Sequence, residues 1–319
     1  MADWPGALLV AGPTASGKSA LALEIAQHLG GTVINTDSMQ VYRELRVLTA
    51  RPTAAEETLV PHRLYGIRPA ADAGSVAWWR DQALAAMADA RAAGRVPILT
   101  GGSGMYFAAL TNGIADVPDP GPDARAEARA LLAERGPASL HAELAAADPA
   151  TASRLKPEDS QRVARAWEVW RGTGLGLAAW QERRTQPAPW RFSGILLDPP
   201  RDSLRVAIAT RFDSMMRQGA LDEVRDLVAL RLDPSLPAMR AHGVPELSAY
   251  LRGALSLQEA GRRTELVTGQ YTKRQATWFR HHVLAPQTRT FLIAARFARF
   301  EQFSESERAN LFTFIENLG

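Results

Sequence analysis

The eight residues GPTASGKS, Gly12 to Ser19, fit the pattern G-x-x-x-x-G-K-[ST] without exception. In that pattern the glycines let backbone N–H groups curl around phosphate oxygens, and the helix that follows adds the positive end of its dipole. Lys18 adds a point charge, and the Ser19 hydroxyl is placed to ligate Mg²⁺. The chemistry is the holding of a phosphate or diphosphate; the motif does not say which compound carries it. A nucleotide kinase or ATPase is the usual expectation, and it calls for a second carboxylate at a strand end. The run VPILT at 96–100 ends instead in Thr-Gly-Gly. The acidic residue that does follow a strand-like run is Asp37, after TVIN at 32–35. A carboxylate there is a metal ligand, a general base or a helix N-cap.

The elements that carry these residues are legible from periodicity. Residues 7–11 (ALLVA) are a short unbroken apolar run ending in glycine, the signature of a buried parallel strand. Leu21, Ile25 and Leu29 repeat at spacing four, predicting a helix over 19–29 closed by Gly30 and Gly31. Further strands are predicted at 32–35 and 96–100, with a helix over 76–93 between them. This alternation predicts an α/β fold, a P-loop NTPase-like parallel sheet flanked by helices. Ligands in such sheets bind beyond the carboxyl ends of the strands. Three polar or glycine-rich ends, at 12–19, 36–38 and 101–104, therefore converge on one site. A Pro/Asp-rich break at 116–122 and a second break at 185–190 bracket alanine- and arginine-rich helical sequence. They predict an inserted all-helical subdomain at 116–190 within a catalytic core made of 1–115 and 191–319. A strand is expected at 194–197, helices at 202–218, 221–230 and 264–282, and a peripheral appendage at 285–319.

Composition excludes more than it assigns. The 319 residues are 46% hydrophobic and 22% charged, ordinary for a soluble globular protein. No run of about 18 apolar residues predicts a membrane span. The N-terminus MADWPGALLVAG lacks a cationic segment before a long apolar stretch and reads as a first strand. There are no cysteines, which excludes disulfides, a thiol nucleophile and thiolate metal sites. A cytoplasmic location fits these features most simply. A net charge of +3 says little about partners. Two local clusters say more: Arg162, Arg165 and Arg171, and then Arg262, Arg263, Lys273, Arg274 and Arg280 with His281 and His282. In the helix at 159–171, Val163, Trp167 and Trp170 share one face, while Gln161, Arg165 and Glu168 share the other and Arg162 lies at the border. Pattern alone makes this an amphipathic helix with a solvated face. Lys273, Arg274 and Gln275 lie near Trp278 and Phe279, a mixture suited to phosphate contact and base stacking, with Trp278 by itself better read as core.

Seven blocks in one order carry a more specific signal. GPTASGKS is followed by DSMQVYR (37–43), ARPT (50–53) with Pro61-His62, and GGSGMYF (101–107). RLKPEDSQRVARAWEV (154–169), PAMRAHGVPEL (237–247) and YTKRQATWFR (271–280) complete the set. In order and spacing these resemble the tRNA dimethylallyltransferase family over about residues 7–282. The resemblance implies transfer of a dimethylallyl group from dimethylallyl diphosphate, with Mg²⁺. The acceptor would be the exocyclic N6 amine of the adenine 3′-adjacent to the anticodon (tRNA position 37), in tRNAs reading codons that begin with U. It implies that Gly12, Pro13, Thr14, Ala15, Ser16, Gly17, Lys18 and Ser19 hold the diphosphate and that Ser19 meets the metal. Asp37 becomes the general base on the amine, with Ser103, Lys18 and Arg211 completing the catalytic set. Arg211 is then a diphosphate clamp, surface pairing being the other reading of a lone arginine. The implied tRNA contacts are Asp37, Ser38, Met39, Gln40, Ser103, Arg125, Gln161, Arg162, Val163, Ala164, Arg165, Lys273, Arg274 and Gln275. A monomer acting on the anticodon stem-loop, with no membrane partner, is expected. Ser19 and Ser103 stand where the family usually has Thr, and both keep the hydroxyl. The segment after His282 matches nothing in the family. The competing readings are an isopentenyltransferase acting on free adenine nucleotide, a small-molecule P-loop kinase and a non-enzymatic RNA-binding ATP sensor.

Overall fold

The computed structural model describes residues 5–115, 117–183 and 185–317. The N-terminal tetrapeptide, the first residue of the break predicted at 116 and the last two residues lie outside them. In chain order the strands are β1 (Gly6–Ala11), β2 (Thr32–Asn35), β3 (His62–Arg63), β4 (Pro97–Gly101), β5 (Arg191–Leu197) and β6 (Thr290–Ile293). They form one sheet in the order β3-β2-β4-β1-β5-β6, with every pairing parallel. β1 is an interior strand: Leu8 pairs in register with Ile98 on one side, and Gly6 with Arg191 on the other. Its apolar run is unbroken because both faces of the sheet are covered. Ala7, Leu9 and Ala11 enter one core, Leu8 and Val10 the other.

On the first face lie α3 (Val76–Ala92), α4 (Gly104–Thr111), α9 (Arg201–Arg217), α10 (Ala220–Ala229), α11 (Val244–Leu251) and α12 (Leu257–His281). Trp79 is fully buried there, stacked on Tyr106 with ring centroids 4.2 Å apart, and its indole N–H donates to the Asn35 carbonyl at the end of β2. On the second face, α1 (Lys18–Leu29) packs Leu21 and Ile25 against Leu311 and Ile315 of α13 (Glu305–Glu316). Truncating a buried leucine such as Leu9 or Leu21 to alanine costs ~2–5 kcal/mol. The short α2 (Ala54–Leu59) begins with a capping box between Thr53 and Glu56.

The chain divides into two compact units, Met1–Thr111 with Ala188–Gly319, and Asn112–Pro187. In the first, the Ala188 N–H donates to Leu110 O at 2.8 Å, drawing together the points where the chain leaves and returns. The second is all helix: α5 (Gly121–Ala147), α6 (Pro149–Ala152), α7 (Ser160–Thr173) and α8 (Leu177–Glu182). α5 breaks at Gly136, before Pro137. Its core is Ala128, Leu140, Leu144, Val163, Ala166 and Trp167.

The structure corrects the sequence reading at the C-terminus. The segment expected at 285–319 is, over its described residues 285–317, no peripheral appendage: β6 pairs with β5, and Phe297 is 1% exposed within the second core. β5 begins at Arg191, three residues earlier than expected, because Phe192 and Ser193 are buried alongside β1. The helix expected over 264–282 begins at Leu257, capped by Ser256. Among the described residues no helix is long and apolar enough to cross a membrane.

Candidate active site

The first phosphate-loop residues follow directly from β1, so the rigid sheet sets where the loop begins. Gly17, at φ 89°, caps α1 without any side-chain acceptor, which leaves the first-turn N–H groups open to an anion. Pro13 O accepts from the Ser16 N–H and from Lys18 Nζ, both at 3.2 Å. The Thr14 N–H donates to Gln275 Oε1 at 2.9 Å, and Gln275 Nε2 donates to Gly102 O at 2.9 Å. A side chain on Gly102 would collide with that amide, so close approach requires glycine there. Gln275, 4% exposed, thus ties the phosphate loop to the end of β4.

Asp37 is held by its neighbours as much as by its strand. The fully buried Asn35 takes the Asp37 N–H on Oδ1 at 2.8 Å and donates Nδ2 to Asp37 O at 2.9 Å and Leu64 O at 3.1 Å. The Asp37 carboxylate accepts the Met39 N–H on Oδ1 at 2.9 Å. No helix starts there, so Asp37 is not a helix N-cap. Ser103 Oγ accepts the Ser38 N–H at 3.0 Å and donates to Ser38 Oγ at 3.3 Å. Gln40 Nε2 donates to the carbonyls of Thr49 and Ala50, at 2.8 and 3.0 Å. Glu223 accepts the N–H groups of Arg46, Val47 and Leu48 and so fixes that same loop.

These elements enclose a cavity of about 400 Å³. Thr14, Asp37, Ser38, Thr49 and Arg211 line one part of it; Leu48, Ile208, Phe212, Met215 and Ala241 line another. The lining suits a ligand with an anionic head and a short hydrocarbon body. Burial pushes the Lys18 ammonium down to about 8, against the pull of Asp37 and with a push from Arg211. Burial likewise lowers the Arg211 pKa, Asp37 opposing it, and Arg211 Nη2 donates to Thr49 O at 3.3 Å. A buried ammonium and a half-buried guanidinium beside one carboxylate form a site that favours an added anion. Tyr271, hydrogen-bonded to Ser103 and Gln275, is raised to about 12, mainly by burial. His242 lies edge-on to Tyr271 at 4.9 Å, its pKa lowered by burial. Among the described residues, the buried hydroxyls of Ser16, Thr36 and Thr100 have no hydrogen-bond partner. Among the described residues no three His, Cys, Asp or Glu side chains gather as a ready-made metal site.

The structure therefore brings Thr14, Lys18, Asp37, Ser38, Met39, Ser103 and Arg211 together, and places Ser19 exposed on the first turn of α1. It corrects three expected tRNA contacts. The Val163 and Ala164 side chains lie inside the helical unit, at 0% and 9% exposure, and Gln275 is the buried tether just described. Lys273 and Arg274 are exposed on α12, whereas Arg262 and Arg263 pair with Glu259, and Arg280 with Asp198. Trp278, packed in part against the core, stacks on His282 at 4.2 Å and lines a shallow pocket with Lys273, Arg274 and His281. In the helical unit Arg125, Arg162 and Arg165 are accessible, each paired with a carboxylate of its own unit, and Gln161 is exposed. Asn35, Tyr271 and His242 escaped sequence reasoning. Asn35 ends the TVIN run, where a buried amide signals a turn to be held.

Comparison with known proteins agrees with this geometry. The family model described as IPP transferase matches residues 40–282. A protein of Granulibacter bethesdensis named tRNA dimethylallyltransferase is 62% identical over 97% of both chains. One of the same name from Gluconacetobacter diazotrophicus is 59% identical over 97% of this chain and 93% of the relative. The solved tRNA isopentenylpyrophosphate transferase of Bacillus halodurans superposes with a TM-score of 0.68 at 30% identity, covering 98% of this chain and 97% of that one. A eukaryotic dimethylallyltransferase solved while acting on tRNA gives 0.80 at 25% identity, over 98% and 80%. A chain matched by that model over most of its length, and by those relatives over nearly all of it, belongs to the IPP transferase family.

Proposed function

We propose that this chain transfers a dimethylallyl group from dimethylallyl diphosphate to N6 of the adenine next to the anticodon in tRNA. The products are N6-dimethylallyladenosine and diphosphate, and the acceptors are tRNAs reading codons that begin with U. The observation that carries this reading is a cavity lined by Asp37, Arg211 and an apolar wall, with the buried Lys18 ammonium close enough to feel both charges. The cations suit a diphosphate, the wall suits a five-carbon chain, and Asp37 suits an amine.

The step forms a C–N bond as the allylic C–O bond breaks. The adenine amine is a weak nucleophile because its lone pair is delocalised into the ring. Asp37, accepting that N–H, directs the lone pair and takes the proton as the bond forms. The electron pair of the C–O bond leaves with diphosphate. Lys18, Arg211 and the loop amides neutralise the charge that grows there. The phosphate loop then holds a leaving group and not a donor of phosphoryl groups. Mg²⁺ fits this donor set: the Ser19 hydroxyl, exposed on the first turn of α1, and diphosphate oxygens would hold it, and it would supply further charge neutralisation. Ser103, bonded to Ser38 and Tyr271, keeps the Asp37–Ser38 turn in place.

The acceptor base must leave its stack to reach such a cavity, which costs a few kcal/mol and less in a single-stranded loop. Gln161, Arg162 and Arg165 on the helical unit, Arg125 beside them in that unit, and Lys273 and Arg274 on α12 would contact the RNA backbone. The protein acts as a monomer in the cytoplasm, where its acceptor is found. Labelled dimethylallyl diphosphate, offered with an unmodified tRNA whose anticodon loop carries consecutive adenines, tests the reading. Mg²⁺-dependent incorporation that disappears with Lys18→Ala is expected. Transfer to AMP, or consumption of ATP with no transfer to tRNA, would overturn it.

A further inference from the structure

The segment after β6 lies beyond residue 282, where the family match ends, and it grips the phosphate loop. The Phe297 N–H donates to Ser16 O at 2.9 Å, and Arg296 Nε donates to Ala15 O at 2.9 Å. The Phe297 carbonyl lies so close to Gly17 that a Cβ there would run into it. Three consecutive loop residues thus meet two consecutive residues of the C-terminal segment. That segment is itself fixed. Phe297 sits among the rings of Phe300 and Phe303, with centroids 5.3 and 5.9 Å away. Gln302 donates Nε2 to Arg296 O at 2.8 Å and accepts the Ala298 N–H on Oε1 at 2.7 Å.

The contacts fall where the loop is hardest to hold. Ala15 has φ 66°, a left-handed conformation that costs a residue with a Cβ roughly 1–2 kcal/mol. A trans peptide is planar, so a carbonyl fixed on one side turns the next N–H to the other. Arg296 on Ala15 O therefore directs the Ser16 N–H, which closes on Pro13 O at 3.2 Å. Phe297 on Ser16 O turns the Gly17 N–H away from the segment. The Gly17 amide is one by which a loop of this pattern holds phosphate oxygens.

We propose that residues 296–302 form a brace that preorganises the phosphate loop, with Arg296 a positioning residue for the diphosphate of the donor and of the product. This rests on the diphosphate reading above. A loop already in its bound shape spends no binding energy on rearrangement, and its donors meet the leaving group without delay. Arg296 is exposed, so its replacement leaves the core intact.

Calorimetric titration of inorganic diphosphate with Mg²⁺ into the full chain, beside steady-state kinetics, tests the brace. Arg296→Met is expected to weaken diphosphate binding about tenfold, the loss of one charge-assisted hydrogen bond, and to raise the KM for dimethylallyl diphosphate in step. The KM for tRNA and the melting temperature stay as in the wild type. Arg296→Lys, still able to donate to Ala15 O, recovers most of the loss, and Gln302→Ala reproduces part of it. Unchanged diphosphate affinity in Arg296→Met and Gln302→Ala overturns the brace. So does a KM for tRNA that rises together with a falling melting temperature, since that marks general loosening. Wild-type protein that binds no diphosphate overturns the diphosphate reading and the brace with it.

Discussion

Lys18 in the sheet unit is buried and Arg211 half-buried, and among the described residues neither forms an ion pair. Arg125, Arg162, Arg165 and Arg171 in the helical unit stay in solvent, and each has a carboxylate within 3.4 Å. A buried charge without a partner is expensive and persists where a ligand supplies the partner. An exposed pair is worth ~0–1 kcal/mol, so either member is free to exchange its partner for a phosphate. One unit is therefore built to hold a small anion in a fixed place. The other offers replaceable contacts to a polyanion, where no single residue dominates.

Removing the carboxylate beside these two cations breaks the first half of this contrast most severely. Asp37→Ala is expected to lower kcat/KM for transfer by ~10²–10⁴-fold, the scale of general-base loss. Diphosphate affinity should hold or improve, because a negative charge leaves the neighbourhood of Lys18. Near wild-type turnover in a single-turnover assay would remove Asp37 from the base role.

Lys18 gives the next effect, and its sign differs between stability and binding. Its native pKa of about 8 lies below the 10.5 of an ordinary lysine in the unfolded chain. Between those values the unfolded chain binds a proton that the native chain does not, so this group makes stability rise with pH across the window and flat below it. Lys18→Met is therefore expected to raise the melting temperature at pH 7 by a few degrees and to lose the gain by pH 10, as scanning fluorimetry would read. Diphosphate binding moves the other way: the wild type loses affinity above pH 8 as the ammonium deprotonates, and Lys18→Arg removes that step. A Lys18→Met protein less stable than wild type at pH 7 would mean that burial of the ammonium costs nothing.

The smallest effect belongs to the helical unit. Arg162→Ala with Arg165→Ala should raise the KM for tRNA several-fold and leave kcat alone, with a shallower salt dependence than wild type. A fall in kcat at saturating tRNA would move these residues from recognition into the chemistry.

How far each region could be read from sequence follows the same division. The phosphate loop was legible because nearly every one of its positions answers to the ligand: backbone shape at the glycines, charge at Lys18, hydroxyl at Ser19. β1 was legible because both its faces are buried and its apolar run is unbroken. Gln275 was read as surface because it sits in the basic run YTKRQATWFR. Its amide is held by the distant Thr14 and Gly102, and a local window contains neither. Val163 shows the reverse case: its periodicity already put it on the apolar face with Trp167, against the contact that the family resemblance implied. β6 is four residues long with Leu292 59% exposed, too short and too wet to mark a strand. The grip of Arg296 and Phe297 falls on backbone carbonyls, which leave no trace in side-chain pattern.

The sheet's strand order also has a consequence in time. β1 finds its second neighbour only when β5 exists, and Arg191 comes about 90 residues after Gly101, where β4 ends. At ~5–20 residues per second on the ribosome, one edge of a fully apolar strand waits ~5–20 s for its partner. An unpaired apolar edge is a template for a neighbouring chain. The helical segment made during that interval has mostly local contacts and folds within its own emergence. Synthesis therefore passes through a stage with one finished unit and one half-sheet, and it is the half-sheet that needs shelter from other nascent chains.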